Sequence, residues 1–332
     1  MKVIQFEQHG EPEVLQLVEF PQPVSRTGEV LIKVKAIGLN YAETMHRRGM
    51  YPQPVPLPMI PGTDVAGVIE QLGEGVTLPA IGTRVVTSLY PGAPSGGYVE
   101  YVAVNANRVV PVPEAVSLEA SLALLGQGWT AYLLLSQAGR LQVGEAVLIH
   151  AAAGGVGTLA VQLAKLLGAG QVIGLVSSEA KQALAQTLGC DRTFLNSDPR
   201  WAQQVKAATH DRGVDIVLDS VGAAAVTENL HVLAPFGRLV AYGALSQQMT
   251  TLSAEQTVQL LFGNQAFIGF SVPGFVEAVG YAEALTTKLL GYLAEGKLNV
   301  IVEDVFPFEA AAEAHRAIEA RRTVGKVVLQ VQ

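Results

Sequence analysis

From residue 146 the chain runs through an apolar stretch, Ala-Val-Leu-Ile, into a glycine-rich turn, His150-Ala-Ala-Ala-Gly-Gly-Val-Gly157, and then a helical stretch over 158–167 whose single charge is Lys165. Apolar runs and amphipathic stretches then alternate. Strands are predicted at 171–176, 192–195, 214–219 and 237–242, and helices at 179–188, 201–209 and 223–233. Strands separated by helices of about ten residues predict an α/β fold with a parallel, doubly wound sheet. The first 115 residues have another texture. They are rich in Val, Pro and Gly, with short strand candidates at 30–36, 66–71, 84–88 and 98–104. Closely spaced turns predict a compact β unit, a curled sheet or barrel. Beyond the alternating region, a long helix is predicted at 275–293, a strand at 300–306, a helix at 308–320 and a last strand at 326–331. The chain is thus expected to leave a first domain (1–122), build a second (123–270) and return to the first (271–332).

A length of 332 residues allows two sizeable cores. A net charge of −7, with no Lys/Arg cluster, argues against general nucleic-acid or anionic-membrane binding. The single cysteine, Cys190, excludes an intramolecular disulfide and a cysteine-based zinc cluster. It follows Gly189 at a helix end and is read as structural; it fits a reducing cytoplasm. Residues 1–10 carry no long apolar core, so a cytoplasmic location is expected. Two nearly charge-free stretches, 120–139 and 146–164, are interrupted by polar residues or by the glycine turn. They read as buried elements rather than membrane spans.

A strand, a tight glycine turn and a helix amino-terminus make a pyrophosphate cradle. Backbone N–H groups and the helix dipole face the phosphates there. Against G-x-G-x-x-G the first glycine is Ala152, and Gly154 and Gly157 hold the other two places; Ala153, Gly155 and Val156 complete the turn. NAD-specific domains place an acid at the end of the second strand, about 20 residues on. Here Val176 stands there, followed by Ser177, Ser178 and Lys181. Two hydroxyls and an ammonium suit a ribose 2′-phosphate, so NADPH is the expected cofactor. The serines also read as helix caps, a role compatible with phosphate binding. Glu179 stands beside them, on a helix where its side chain can face solvent. Further cofactor contacts are expected at Ser220, Val221, Tyr242, Gly243 and Phe270.

The chain resembles the zinc-free quinone oxidoreductase branch of the medium-chain dehydrogenase/reductases, the branch that includes zeta-crystallin. The resemblance is carried by Gly38-Leu-Asn-Tyr-Ala-Glu-Thr, Gly49-Met-Tyr-Pro, Pro61-Gly-Thr-Asp-Val-Ala-Gly, Gly82-Thr-Arg-Val, the His150–Gly157 turn and Asp219-Ser-Val-Gly. It implies a GroES-like catalytic domain joined to a Rossmann domain, with the active site in the cleft between them. It also implies a homodimer, through a nucleotide-domain edge strand near 267–272. In zinc-dependent relatives the catalytic ligand places fall at Asn40, Thr63 and Gln127. None is Cys or His, the loop at 87–97 has no cysteine, and the six histidines lie elsewhere, so no zinc is expected. His150 reads as a packed core residue.

Without a Lewis acid an unactivated alcohol is a poor substrate, whereas hydride addition to a quinone or an α,β-unsaturated carbonyl needs only orientation and a few donors. A small-molecule acceptor of that kind is expected. By resemblance Asn40 and Tyr51 are the catalytic donors, and Gln127 and Thr130 contact nicotinamide or its ribose. Met45 and Asn196 stand where relatives often carry tyrosines, Asn196 near the adenine ribose phosphate. Lys326, with Arg321 and Arg322, either reaches the cofactor or belongs to a solvated charge cluster. Plainer readings stay open: Asn40 bonding backbone in a turn, Tyr51 exposed in a proline-rich loop, Asp64 structural, Glu43 a surface or helix-start acid. Two other functions remain open. One is an enoyl-thioester reductase, whose carrier protein would need a basic patch such as Arg47 and Arg48. The other is a non-enzymatic NADPH-binding protein.

Overall fold

The computed structural model describes residues 1–90, 96–243, 245, 246, 248, 250–279 and 282–332. The chain forms two compact units, Met1–Trp129 with Pro273–Gln332, and Thr130–Val272. Its elements are, in order, β1 (Lys2–Gln5), β2 (Gln16–Glu19), β3 (Glu29–Leu39), α1 (Tyr41–Arg48), β4 (Asp64–Leu72), β5 (Arg84–Ser88), β6 (Tyr101–Asn105), β7 (Val110–Pro111), α2 (Leu118–Ala123) and α3 (Gly126–Leu133). The middle of the chain supplies β8 (Ala146–Ile149), α4 (Gly155–Leu166), β9 (Gln171–Val176), α5 (Glu179–Thr187), β10 (Arg192–Leu195), α6 (Trp201–Ala208), β11 (Val214–Asp219), α7 (Val226–Val232), β12 (Leu233–Ala241), α8 (Ala254–Gly263) and β13 (Ala266–Gly269). Then follow α9 (Val272–Val279), α10 (Ala282–Ala294), β14 (Asp304–Pro307), α11 (Ala311–Glu319) and β15 (Val327–Gln330).

Strand β3 is the spine of the first unit. Along one edge it pairs with β4. Its other edge is shared: β6 takes Glu29–Lys33 and β15 takes Ala36–Leu39. Two register shifts in the β3–β4 ladder add twist, and the sheet curls. Apolar residues of β3, β4 and β5 fill the inside, and Phe308, Ala311, Ala314, Val327 and Leu329 of the returning segment belong to the same cluster. The returning segment is therefore part of this core.

The second unit is a six-stranded sheet in the order β10-β9-β8-β11-β12-β13, and every adjacent pair is parallel. Its first strand in sequence, β8, lies inside the sheet, and the strand order reverses beside it. In open parallel sheets ligands bind outside the carboxyl ends of the strands at such a point. Strands β8, β9 and β11 are buried almost throughout, which is why they read as continuous apolar runs. Cys190 is buried, and burial pushes its thiol up to about 12, as suits a packing residue.

Several element limits differ from the expectation. Helix α4 begins at Gly155, three residues earlier than its periodicity suggests, because the turn glycines are themselves helical. Strand β12 starts at Leu233 and passes Phe236 at φ 64, so the predicted helix ends sooner. The helix predicted at 275–293 is covered by helical segments at Val272–Val279 and Ala282–Ala294, and residues 280 and 281 lie outside those described. Helix α1 has too few apolar residues to show a periodic stripe; its amino-terminal Asn-x-x-Glu and the left-handed Gly49 after it (φ 70) were its available signals. Among the described residues no helix is long and apolar enough to cross a membrane.

Candidate functional site

The glycine turn closes between β8 and α4. Ala151 adopts φ 49, and Gly154 caps the helix in an extended conformation with no side-chain bond of its own. A Cβ on Gly157 would lie 2.1 Å from the Ala151 carbonyl oxygen and 2.7 Å from Ala152 Cα. The helix is pressed onto the turn that closely, and only glycine allows it. The first N–H groups of α4 have no intrahelical acceptor, so the turn presents donors and the positive end of a helix dipole together. The cradle therefore fits a pyrophosphate.

At the end of β9, Ser178 caps α5, its hydroxyl accepting from the Lys181 N–H at 3.4 Å. Ser177 and Ser178 are exposed. On β10, Leu195 pairs with Val176, and the Asn196 N–H bonds the Val176 carbonyl at 2.9 Å. Ser177 and Ser178 thus follow β9, Lys181 stands in the first turn of α5, and Asn196 follows the adjoining β10. At the end of β11, the buried Asp219 accepts from the Val221 N–H at 2.7 Å and the Gly222 N–H at 3.3 Å. This holds Ser220 and Val221 in their turn. Tyr242 and Gly243 follow β12, and the buried Phe270 follows β13, its N–H bonding Ala241. His150 is a core residue as read: its Nε2 lies 2.6 Å from Asn229 Oδ1 and its ring packs edge-on to Trp201.

The first unit holds a second constellation. Where β3 ends, Asn40 opens α1, and its N–H donates to Glu43 Oε2 at 2.7 Å. The Asn40 Nδ2 donates to Asp64 Oδ2 at 2.8 Å and to Thr63 Oγ1 at 3.3 Å. Its Oδ1 accepts from Lys326 Nζ at 2.8 Å, and the same ammonium pairs with Asp64 Oδ2 at 3.2 Å. Thr63 Oγ1 lies 3.2 Å from Glu43 Oε1. Since a lysine can only donate and a carboxylate can only accept, these bonds settle which amide atom is oxygen. Gly38 makes room for the ammonium: a Cβ there would meet Lys326 Cε at 2.5 Å and Nζ at 2.8 Å.

This network corrects three readings. Both amide hydrogens of Asn40 already have acceptors, so Asn40 has no spare donor for a substrate oxygen. Lys326 is buried at 1% exposure and belongs to this cluster, not to a solvated charge group, whereas Arg321 and Arg322 are exposed. Glu43 is a helix-start acid but not a surface one, at 1% exposure. Burial, then the nearby Asp64, raises its pKa to about 7. Gln127 is buried, and its Oε1 has no partner among the described residues.

Tyr51 is half-buried rather than exposed, and its ring lies edge-on to His46 at 4.1 Å. Burial and then Tyr90 push its phenol up to about 12, so it keeps its proton at neutral pH. Of the loop at 87–97, residues 91–95 lie outside the described set. Arg47 offers no basic patch: it is fully buried and paired with Glu319 at 2.5 Å, and Arg48 is held by Glu319 and Glu11. Among the described residues no group of three or more His, Cys, Asp and Glu is placed to hold a metal.

A nucleotide-type parallel sheet and a curled β unit with a buried polar cluster, in one chain, define a two-unit oxidoreductase. Residues 26–114 match the alcohol dehydrogenase GroES-like domain family and residues 155–287 the zinc-binding dehydrogenase family. A quinone oxidoreductase of Pseudomonas aeruginosa is 34% identical over 330 residues, 99% of each chain. A 2-haloacrylate reductase of a Burkholderia species is 34% identical over 313 residues, 92% of this chain and 91% of that one. Among solved structures, Escherichia coli quinone oxidoreductase complexed with NADPH superposes with a TM-score of 0.90 at 31% identity, covering 100% of both chains. The chain belongs to the zinc-free quinone oxidoreductase branch of the medium-chain dehydrogenase/reductases.

Proposed function

We propose that the chain is an NADPH-dependent reductase that directs hydride to a quinone or an α,β-unsaturated carbonyl without a metal. The observation that carries this reading is the closed network at Asn40, Thr63, Asp64 and Lys326. Two of the three places that hold zinc in metal-dependent relatives carry an amide and a hydroxyl bonded to each other, and a lysine ammonium is built in beside them. Amides and hydroxyls are poor zinc ligands. The NADPH-complexed relative supports the cofactor, as do Ser177, Ser178 and Lys181 at a strand end without a carboxylate.

In this reading, backbone N–H groups of Gly155, Val156 and Gly157 hold the pyrophosphate, with Ala153 and Gly154 shaping the turn. Ser177, Ser178 and Lys181 hold the 2′-phosphate beside Asn196. Ser220, Val221, Tyr242, Gly243 and Phe270 line the strand ends, and Gln127 and Thr130 contact the nicotinamide side. Bound NADPH supplies the hydride. Tyr51, protonated at neutral pH, donates to the oxygen on which charge develops. Asn40 and Lys326 hold the network in shape rather than touching substrate or cofactor. The test is NADPH oxidation over quinones, enones, enoyl thioesters and plain alcohols, with a chelator present throughout. Turnover of quinones or enones with inert alcohols is expected. Rapid alcohol oxidation, or activity lost to the chelator, would overturn the reading.

A further inference from the structure

Hydride addition to a conjugated carbonyl leaves an anion, and the reaction is complete only when a proton arrives. The buried cluster of the first unit contains two carboxylates, Glu43 and Asp64, and one ammonium, Lys326. The ammonium bonds Asp64 and Asn40. Glu43 has an N–H and a hydroxyl for partners. Glu43, Asp64 and Lys326 are closed off at 1%, 0% and 1% exposure, and only Asn40 and Thr63 are partly exposed. Asn40 has already given both amide hydrogens. Thr63 is the other partly exposed member, and its hydroxyl lies 3.2 Å from Glu43 Oε1 and 3.3 Å from Asp64 Oδ1, bridging the two carboxyls.

We propose that Glu43 is the proton reservoir of the reaction and that the Thr63 hydroxyl passes its proton to the anion left by hydride addition. The inference rests on the proposed reductase function. In the step, the Thr63 O–H bond breaks as its proton joins the enolate carbon or quinol oxygen. The Glu43 O–H bond breaks as its proton replaces the one lost by Thr63. The hydride has already supplied both electrons, so no further reductant is needed. Glu43 is left as a carboxylate and recovers a proton from water once the product leaves. Thr63 is the group that touches the substrate, and Glu43 acts through it.

The environment suits the role. A second carboxylate nearby and loss of solvent disfavour a charge on Glu43, and its pKa of about 7 lets it both hold and release a proton near neutrality. The ionisable groups acting on it are Asp64 and Lys326; Tyr51 and Tyr98 lie near enough to feel its charge.

The test compares Glu43→Gln, Thr63→Ala and Thr63→Ser with the wild type. Glutamine at the third helix position keeps a capping partner for Asn40, so the fold is retained. With a saturating enone, wild-type kcat should fall as pH rises through about 7. Glu43→Gln and Thr63→Ala should each lower kcat at least about tenfold, the range of lost general-acid catalysis. Both should lose that pH dependence, while Thr63→Ser keeps it. The double variant should be no slower than either single one. In the free protein, the infrared carbonyl band of a buried acid should titrate near neutrality and vanish in Glu43→Gln. A Glu43→Gln enzyme with wild-type kcat and pH profile, or an unchanged infrared band, overturns the relay alone. A wild type that reduces no conjugated acceptor removes the reductase reading and the relay with it.

Discussion

Gly157→Ala probes the step from helix packing to cofactor binding. The new Cβ would stand 2.1 Å from the Ala151 oxygen, 2.7 Å from Ala152 Cα and 2.8 Å from Ala152 C. All three are backbone atoms, so no side chain can swing aside. Restoring ordinary contact moves the start of α4 away from the turn by about 1 Å. Overpacking of this kind costs roughly 1–3 kcal/mol, and removing a helical glycine returns somewhat under about 1 kcal/mol. A net destabilisation of about 1–2 kcal/mol should appear in urea unfolding. The binding loss should be larger in proportion. Misplacing one charge-assisted N–H bond to phosphate costs roughly 1.5–3 kcal/mol, so the NADPH dissociation constant should rise at least about tenfold. Fluorescence titration of NADPH measures it. Gly154→Ala is the internal control, since its Cβ would meet the Ala151 oxygen at 3.2 Å and need give only slightly. Gly269→Ala meets nothing within 4 Å and should be silent. If Gly157→Ala loses stability but binds NADPH normally, the turn is not the phosphate cradle. If Gly154→Ala suffers as much, the contact argument is wrong.

Lys181→Ala should raise the NADPH dissociation constant about ten- to hundredfold and leave NADH nearly unchanged; equal losses for both would remove the 2′-phosphate assignment. Tyr51→Phe should lower kcat with 1,4-benzoquinone about ten- to thousandfold while NADPH titration stays the same, and unchanged turnover would show that Tyr51 is not a donor. Burial lowers the pKa of His46 to about 4, so below about 6.5 the unfolded imidazole binds a proton that the folded one refuses. Stability on this account rises with pH from about 4 to 6.5, by an amount on the order of 3 kcal/mol, and is level above it. Glu43 acts in the opposite sense between its ordinary value and about 7. His46→Gln should therefore flatten the acid limb of urea stability measured from pH 4 to 8, and an unchanged limb would contradict the burial argument.

The nucleotide half was legible because its information is local. Apolar runs at 171–176 and 214–219 coincide with β9 and β11, since a buried parallel strand is apolar on both faces whatever its neighbours are. The glycine turn and the absence of an acid after Val176 could likewise be read one residue after another. The β unit was also partly legible, with the strands read at 30–36, 66–71 and 84–88 falling in β3, β4 and β5, but its GroES-like character came only from motif resemblance. Its site was the least legible part. Asn40, Glu43, Thr63, Asp64 and Lys326 lie up to 286 positions apart, and their roles depend on which of them meet. Glu43 on a short polar helix reads as a surface acid, and Lys326 beside two arginines reads as solvated. Only the pairing of β3 with both β4 and β15, with a missing side chain at Gly38, brings the lysine indoors. There its three donors and the two carboxylates compete for few partners. In the chain, residue type determined that zinc ligands were absent at Asn40, Thr63 and Gln127. Tertiary structure alone decided which hydrogens were already spent, because a hydrogen bond belongs to a distance and an angle between strands and not to a residue.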